Sequence, residues 1–285
     1  MVLNFSGTHD LMPRCAVRWI DVKREGYPLS LFHRIPLPHG GIEDSQDMED
    51  AVLDIFKQVV SLPVRQITEL RKAIHAVAEQ PEMWHDGIAE VGRLLEQSEE
   101  EPAKRVFEKY RPFFSRIRFS AQQAHMISPG VITVFDFGRF APDVQVFLTE
   151  MTLAIIWRHF RIWGQYAQIP LFIAMDEFQN LKIRPHTVFA QMMREGRKFH
   201  LALLLATQTM ETFAREERAV ISQAATRLYF RPTYKDVKNM GGECALHHKI
   251  KNLQRGDCLA VGNFLIGTLL VQKTVKMTFR EGEPK

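Results

Sequence analysis

The chain has 285 residues, of which 46% are hydrophobic and 25% charged, enough apolar content for a sizeable core and too much for a disordered chain. The net charge is only +4 with a pI of about 9.0, which permits a nucleic-acid partner without requiring one. Three cysteines, Cys15, Cys244 and Cys258, make no disulfide framework, and no N-terminal leader pattern is present, so a cytoplasmic location is expected. The longest apolar runs, LFIAM at 171–175 and LALLLA at 201–206, fall far short of the roughly 20 residues of a spanning helix. Any membrane role would come through a partner.

Residues 1–42 offer one strand, AVRWIDV at 16–22, followed by an extended segment at 26–41 in which Pro28, Pro36 and Pro38 exclude a helix. Residues 43–125 read as a helical subdomain. Asp44 or Ser45 can cap a helix whose Met48, Val52, Ile55, Phe56 and Val59 share one face. Further helices are expected at 64–79, 81–96 and 102–118. From 126 onward, strands and helices alternate. Strands are expected at 131–137, 171–177, 201–207 and 226–232, with helices at 144–166, 186–198 and 211–224. The strands are continuously apolar, the pattern of parallel strands covered on both faces. Trp157 and Trp163 on the long helix are expected in the core. Residues 257–279 read as a hairpin with turns at Gly262-Asn263 and Gly267. The predicted class is α/β, with a mostly parallel sheet flanked by helices, an inserted helical subdomain at 43–125 and a C-terminal β-hairpin.

In an open parallel sheet, ligands bind beyond the carboxyl ends of the strands. Asp176 and Glu177 end one strand, and Thr207 and Gln208 end the next. A carboxylate pair at such a place suits a cation and an attacking water. A glutamine there can donate to a phosphate or orient the water. Arg194, Arg197 and Lys198 cluster between the two strands, and the guanidinium fork suits phosphate. The alternative for each is a strand end, a turn residue or a solvated helix terminus. Cys244-x-x-His247-His248, with Cys258 later, has no second pair at metal-binding spacing, so a metal there is not favoured.

Taken in order, LFIAMDEF, REGRKFH, LALLLATQT, ISQAATRLYFRP and LQRGDCLAVGNF resemble the HerA/FtsK superfamily of P-loop ATPases, and within it the HerA-like translocases and the ATPases of conjugation and type IV secretion. The resemblance covers 130–280 well and 16–125 loosely. It implies a RecA-like core made of 1–42 and 126–285, with Asp176 and Glu177 as the Walker B pair, Asp176 holding Mg²⁺ through water, Thr207 beside the nucleotide and Gln208 as sensor. Arg197 would be an arginine finger reaching a neighbouring subunit's nucleotide, and Arg227 a second phosphate-facing arginine. It also implies ATP as cofactor, a ring, hexameric in the family, and DNA or a membrane-bound secretion apparatus as partner. One part departs from the family. Its phosphate loop is G-x-x-x-x-G-K-[ST], and this sequence has no Gly-Lys pair; FSGTHDL at 5–11 has no lysine. Either Met1 is not the natural start and the loop lies upstream, which is the expectation, or the chain is a structural subunit that no longer binds nucleotide. A simple nucleic-acid-binding module is the third reading.

Overall fold

A computed structural model describes residues 1–5, 16–120, 128–167, 170–181, 183–184, 187–230, 253–266 and 269–279. The elements in chain order are β1 (Val2–Asn4), β2 (Ala16–Asp21), α1 (Val22–Glu25), α2 (Ser45–Val59), α3 (Val64–Ala78), α4 (Gly87–Gln97), α5 (Glu101–Arg116), β3 (Val131–Asp136), α6 (Pro142–Trp163), β4 (Leu171–Met175), α7 (Val188–Glu195), β5 (Leu201–Leu205), α8 (Arg215–Ile221), β6 (Thr226–Tyr229), β7 (Asp257–Ile266) and β8 (Leu269–Thr278). They form two compact units, one of residues 1–182 with 186–206, the other of residues 183–185 with 207–285.

The first unit is built on a five-stranded sheet in the order β2-β3-β1-β4-β5, parallel throughout. The predicted parallel α/β core is therefore present. Its central strand, β1, was not foreseen: three residues are too few to show a hydrophobic period. Leu3 nevertheless sits at 0% exposure between Phe135 and Met175. Coverage of both faces holds for β1 and β3 in the middle of the sheet but not at its sides: Ala16 and Arg18 of β2 are exposed, and so is part of β4 and β5. Leu171, Ile173, Met175 and Leu201 are buried, whereas Phe172 and Leu204 remain 62% and 64% exposed.

Helix α2 starts where Asp44 accepts a hydrogen bond from the Gln46 N–H at 2.8 Å, and Met48, Val52, Ile55 and Phe56 are buried as the periodicity required. α2 packs on α3 and α6, and α3 on α4 and α5. Aromatic rings tie the helical segment to α6: Phe56 and Tyr110 lie 5.0 Å apart, Phe113 and Phe147 4.8 Å. Tyr110 also donates to the Phe56 carbonyl at 2.6 Å, and burial holds its hydroxyl pKa above the usual range. The helix expected at 81–96 is broken: Pro81–Met83 form one 3₁₀ turn, the Trp84 indole donates back to the Ala78 carbonyl, and α4 begins only at Gly87.

The proline-punctuated segment is extended, as expected, and is fastened to α6. Arg158 reaches Glu43 at 2.6 Å and donates to the carbonyls of Leu31 and His33, both at 2.9 Å. The buried charges thus have several partners each, which is what burial demands. Trp157 is buried with its N–H on Gln191, and Trp163 donates to the Pro36 carbonyl. Trp157 is thus in the core as expected, whereas Trp163 is only half-buried and packs at the end of α6 rather than in the core.

The second unit carries a three-stranded antiparallel sheet, β6-β7-β8. This corrects two expectations. β6 is antiparallel to β7 rather than part of the parallel sheet. Gly262-Asn263 is also not a turn: Gly262 lies inside β7, opposite Thr226 of β6, where an added Cβ would stand 2.7 Å from the Ala225 carbonyl oxygen. A glycine within a strand there permits close backbone approach. The strands β7 and β8 meet across residues 267–268, so the Gly267 turn lies outside the described residues. α8 is shorter than expected because residues 209–213 form turns, with the Glu211 N–H on Thr209 Oγ1 and the Phe213 N–H on the Met210 carbonyl. Among the described residues no helix is long and apolar enough to cross a membrane.

Candidate nucleotide site

Parallel strands in register end at one level, and here their last residues are polar. Asp21 of β2 and Asn4 of β1 are both level with Asp136 of β3. Leu3 is level with Met175, so the next residues, Asn4 and Asp176, stand side by side. The carboxyl edge of the sheet therefore reads Asp21, Asp136, Asn4, Asp176. Asp136 is 4% exposed and accepts from the Gly138 N–H at 2.9 Å. Asp21 caps α1 through the Arg24 N–H and meets Arg139 at 3.2 Å. Only Asp176 of this row was singled out from the sequence. The missed signal was repetition: WID, FDF and MDE all end an apolar run with aspartate.

Asp176 is exposed beyond β4, and its Oδ1 accepts from the Glu177 N–H at 2.9 Å. Glu177 has φ 52 and ψ 36, a left-handed conformation that a non-glycine residue adopts only where its surroundings hold it there. The supports are visible. The Phe178 N–H bonds to the Ala206 carbonyl at 3.2 Å, the Asn180 N–H to the Glu177 carbonyl at 3.1 Å, and Phe178 is buried. The Gln179 side-chain amide donates to Glu177 Oε2. The turn thus fixes the direction of the Glu177 carboxylate by backbone geometry and by a second side chain.

Arg197 is placed differently. It lies in the 3₁₀ turn Gly196–Phe199, which enters β5 at its amino end. Because β4 and β5 are parallel, Arg197 and Asp176 are at opposite ends of the sheet, separated by a strand of about 16 Å. Arg194, Arg197 and Lys198 are all exposed, and Lys198 pairs loosely with Glu195 at 3.9 Å.

Thr207, Gln208 and Arg227 belong to the second unit. The Thr207 hydroxyl donates to the Thr209 carbonyl at 2.9 Å, which shapes the loop after β5. Gln208 is exposed. Arg227 donates to the Ser222 carbonyl at 3.4 Å. In the same unit Gly256-Asp257 opens β7, with Gly256 at φ 87. Lys276 at 2.7 Å, the Gln254 N–H and the Thr278 hydroxyl hold the Asp257 carboxyl down at about 2. Of the Cys/His cluster, Cys258 is a buried free thiol in β7, and Cys244, His247 and His248 lie outside the described residues.

No protein family and no curated protein matches the sequence. Solved structures do match. VirB4 of Thermoanaerobacter pseudethanolicus aligns over 99% of this chain and 82% of its own, with a TM-score of 0.72 and 16% identity. The plasmid coupling protein TrwB in complex with the ATP analogue ADPNP aligns over 99% and 79%, with a TM-score of 0.65 and 11% identity. TrwB in complex with ADP and Mg²⁺ aligns over 94% and 74%, with a TM-score of 0.63. The resemblance drawn from the sequence motifs thus reappears, independently, as a likeness of fold: a RecA-like parallel sheet with flanking helices and a separate antiparallel hairpin sheet, shared with VirB4 and TrwB.

Proposed function

We propose that this chain is a ring-forming motor ATPase subunit, or the C-terminal part of one, that couples ATP hydrolysis to DNA translocation or to conjugation and type IV secretion. The observation that carries the proposal is Asp176-Glu177 at the carboxyl end of β4, with Glu177 held in a left-handed turn. Fold likeness to the conjugative coupling protein TrwB, described with nucleotide and Mg²⁺, supports it.

Exposed carboxylate oxygens suit Mg²⁺, a hard cation that keeps much of its water. The Asp176 carboxylate would hold it through water, with Oδ1 already oriented by the Glu177 N–H. Bound there, the ion would neutralise phosphate charge. Glu177 accepts a hydrogen bond from the attacking water and draws off its proton, while Gln179 keeps the carboxylate aimed. Gln208 contacts the terminal phosphate or the same water, Thr207 lies beside the nucleotide and Arg227 faces its phosphates. Arg197 acts on the nucleotide of a neighbouring copy, and the exposed Arg194, Arg197 and Lys198 also offer charge to DNA. The domain reading proposed is a core of 1–42 and 126–285 interrupted by the helical segment 43–125.

The test is Glu177→Gln. Steady-state hydrolysis should fall by about 100-fold or more, while affinity for a non-hydrolysable ATP analogue with Mg²⁺ stays the same. Normal turnover by the variant would sink the proposal. A second reading, a nucleotide-independent structural subunit of the same fold, is favoured by one observation: no Gly-Lys pair occurs in the 285 residues. Calorimetry on this chain with the same analogue separates the two, since the structural subunit takes up no nucleotide.

A further inference from the structure

A second cluster of ligating side chains lies far along the chain from Asp176, where α2 and α3 pack together. Glu49, from the second turn of α2, is 8% exposed, and its Oε1 lies 3.0 Å from His75 Nδ1 on α3. Glu79 follows His75 by four residues at the α3 C-cap, so the two share one helix face. One ligand atom from each of Glu49, His75 and Glu79 falls within 4.8 Å of the others, and among the described residues no other such trio occurs.

The chemistry of the trio is specific. A carboxylate this buried needs a positive partner, and here its recorded partner is an imidazole nitrogen. Either a proton on Nδ1 or a cation can supply that charge. A tetrahedral ion bonded at about 2.1 Å holds adjacent ligand atoms about 3.4 Å apart, so the 3.0 Å pair of Glu49 and His75 needs to open by only about 0.4 Å to take one. His75 and Glu79 are exposed, and Glu49 and His75 line an open concavity of about 440 Å³. An ion therefore has a path in and room for water in its remaining positions.

We propose that Glu49, His75 and Glu79 form a binding site for a first-row divalent cation of the Zn²⁺ type, which clamps α2 to α3. One imidazole with two carboxylates is a borderline donor set that suits Zn²⁺ better than Mg²⁺ or Ca²⁺. The site shares no residue with the proposed nucleotide site, so it stands or falls separately from it.

The experiment uses the whole chain, stripped with chelator and titrated calorimetrically with Zn²⁺, and with Co²⁺ as a visible-absorbing probe. Wild type should bind one ion per chain at this site, with a rise in melting temperature. Glu79→Gln alters only an exposed side chain, so the fold is kept, and it should weaken binding at least about tenfold. His75→Ala should abolish it. If both variants bind with the affinity and stoichiometry of wild type, the ion sits elsewhere and the proposal is overturned. It is equally overturned if wild type gives no saturable heat and no Co²⁺ band.

Discussion

Glu150 is the one carboxylate in α6 whose environment opposes its charge. It is 2% exposed, its Oε2 meets no hydrogen-bond partner among the described residues, and burial pushes its pKa up from 4.5 to about 7. A carboxyl whose folded pKa is raised keeps its proton longer in the folded than in the unfolded chain. Between about pH 4.5 and 7 the folded state therefore binds more protons, and stability falls as pH rises through that window. A gap of roughly 2.5 units at 1.36 kcal/mol each is about 3 kcal/mol. Glu150→Gln keeps the shape and removes the ionisation. Urea midpoints for both proteins at pH 4.5, 6, 7 and 8 isolate this group, because every other titration cancels in the difference. The variant's stability relative to wild type should climb by about 3 kcal/mol across the series and level off near pH 8. Any cost of burying the new amide is independent of pH and shifts the whole difference without changing its slope. A difference flat with pH would refute the reasoning, and would mean that Glu150 ionises in the fold as readily as in water.

Two further substitutions probe the supports of the site. Arg158→Ala removes the 2.6 Å pair with Glu43 and two hydrogen bonds to backbone carbonyls; leaving Glu43 buried and unpaired should cost about 3–5 kcal/mol in chemical denaturation, and a loss under 1 kcal/mol would show that segment 26–43 is held by other contacts. Gly164→Ala would put a Cβ 2.4 Å from the Phe199 carbonyl oxygen, so the turn bearing Arg197 must shift, at about 1–3 kcal/mol in thermal melts; an unchanged melting temperature would show that the turn yields freely.

What the sequence made legible, and what it hid, follows from how long each signal was. LFIAM and LALLL are continuous apolar runs of strand length, and both are strands of the parallel sheet. The amphipathic stripe of α2 extends over four turns, and of its predicted face Met48, Val52, Ile55 and Phe56 are buried while Val59 is half-buried; the helix expected at 64–79 is α3, Val64–Ala78. Val2–Asn4 has no room for a period, so its place at the centre of the sheet could come only from its neighbours on either side. β6 was misassigned because TRLYF shows neither clean alternation nor a uniform apolar run, and its exposure in fact alternates. Asp176 and Glu177 stood out because two acids in a row end a buried run. Asp21 and Asp136 did not, since a lone aspartate after a strand is also an ordinary cap or turn. Only the register, which is not local information, puts them in one row with Asn4 and Asp176. The left-handed turn at Glu177 was likewise invisible: nothing in the residue type signals it, and the supporting Phe178 bond goes to Ala206, 28 residues on.

The position of Arg197 bears most on how such a chain would work. Residues that serve one nucleotide in a parallel sheet gather at the carboxyl edge, where Asp176 and Glu177 are. Arg197 is fixed at the amino edge by the entry into β5, and the His200 ring, 2.7 Å from the Gly164 carbonyl, anchors that entry to the end of α6. An arginine side chain reaches about 7 Å, less than half of the roughly 16 Å strand between the two edges. Within one copy, then, Arg197 cannot meet a phosphate held at Asp176. A catalytic part for it requires a second copy whose carboxyl edge faces this amino edge. That contact joins two different surfaces, and heterologous contacts of this kind give a ring where the rotation closes and an open filament where it does not, never a two-fold dimer. The geometry of one subunit thus argues against a role for Arg197 in its own nucleotide site, so the arginine-finger role proposed for it depends on assembly with a second copy.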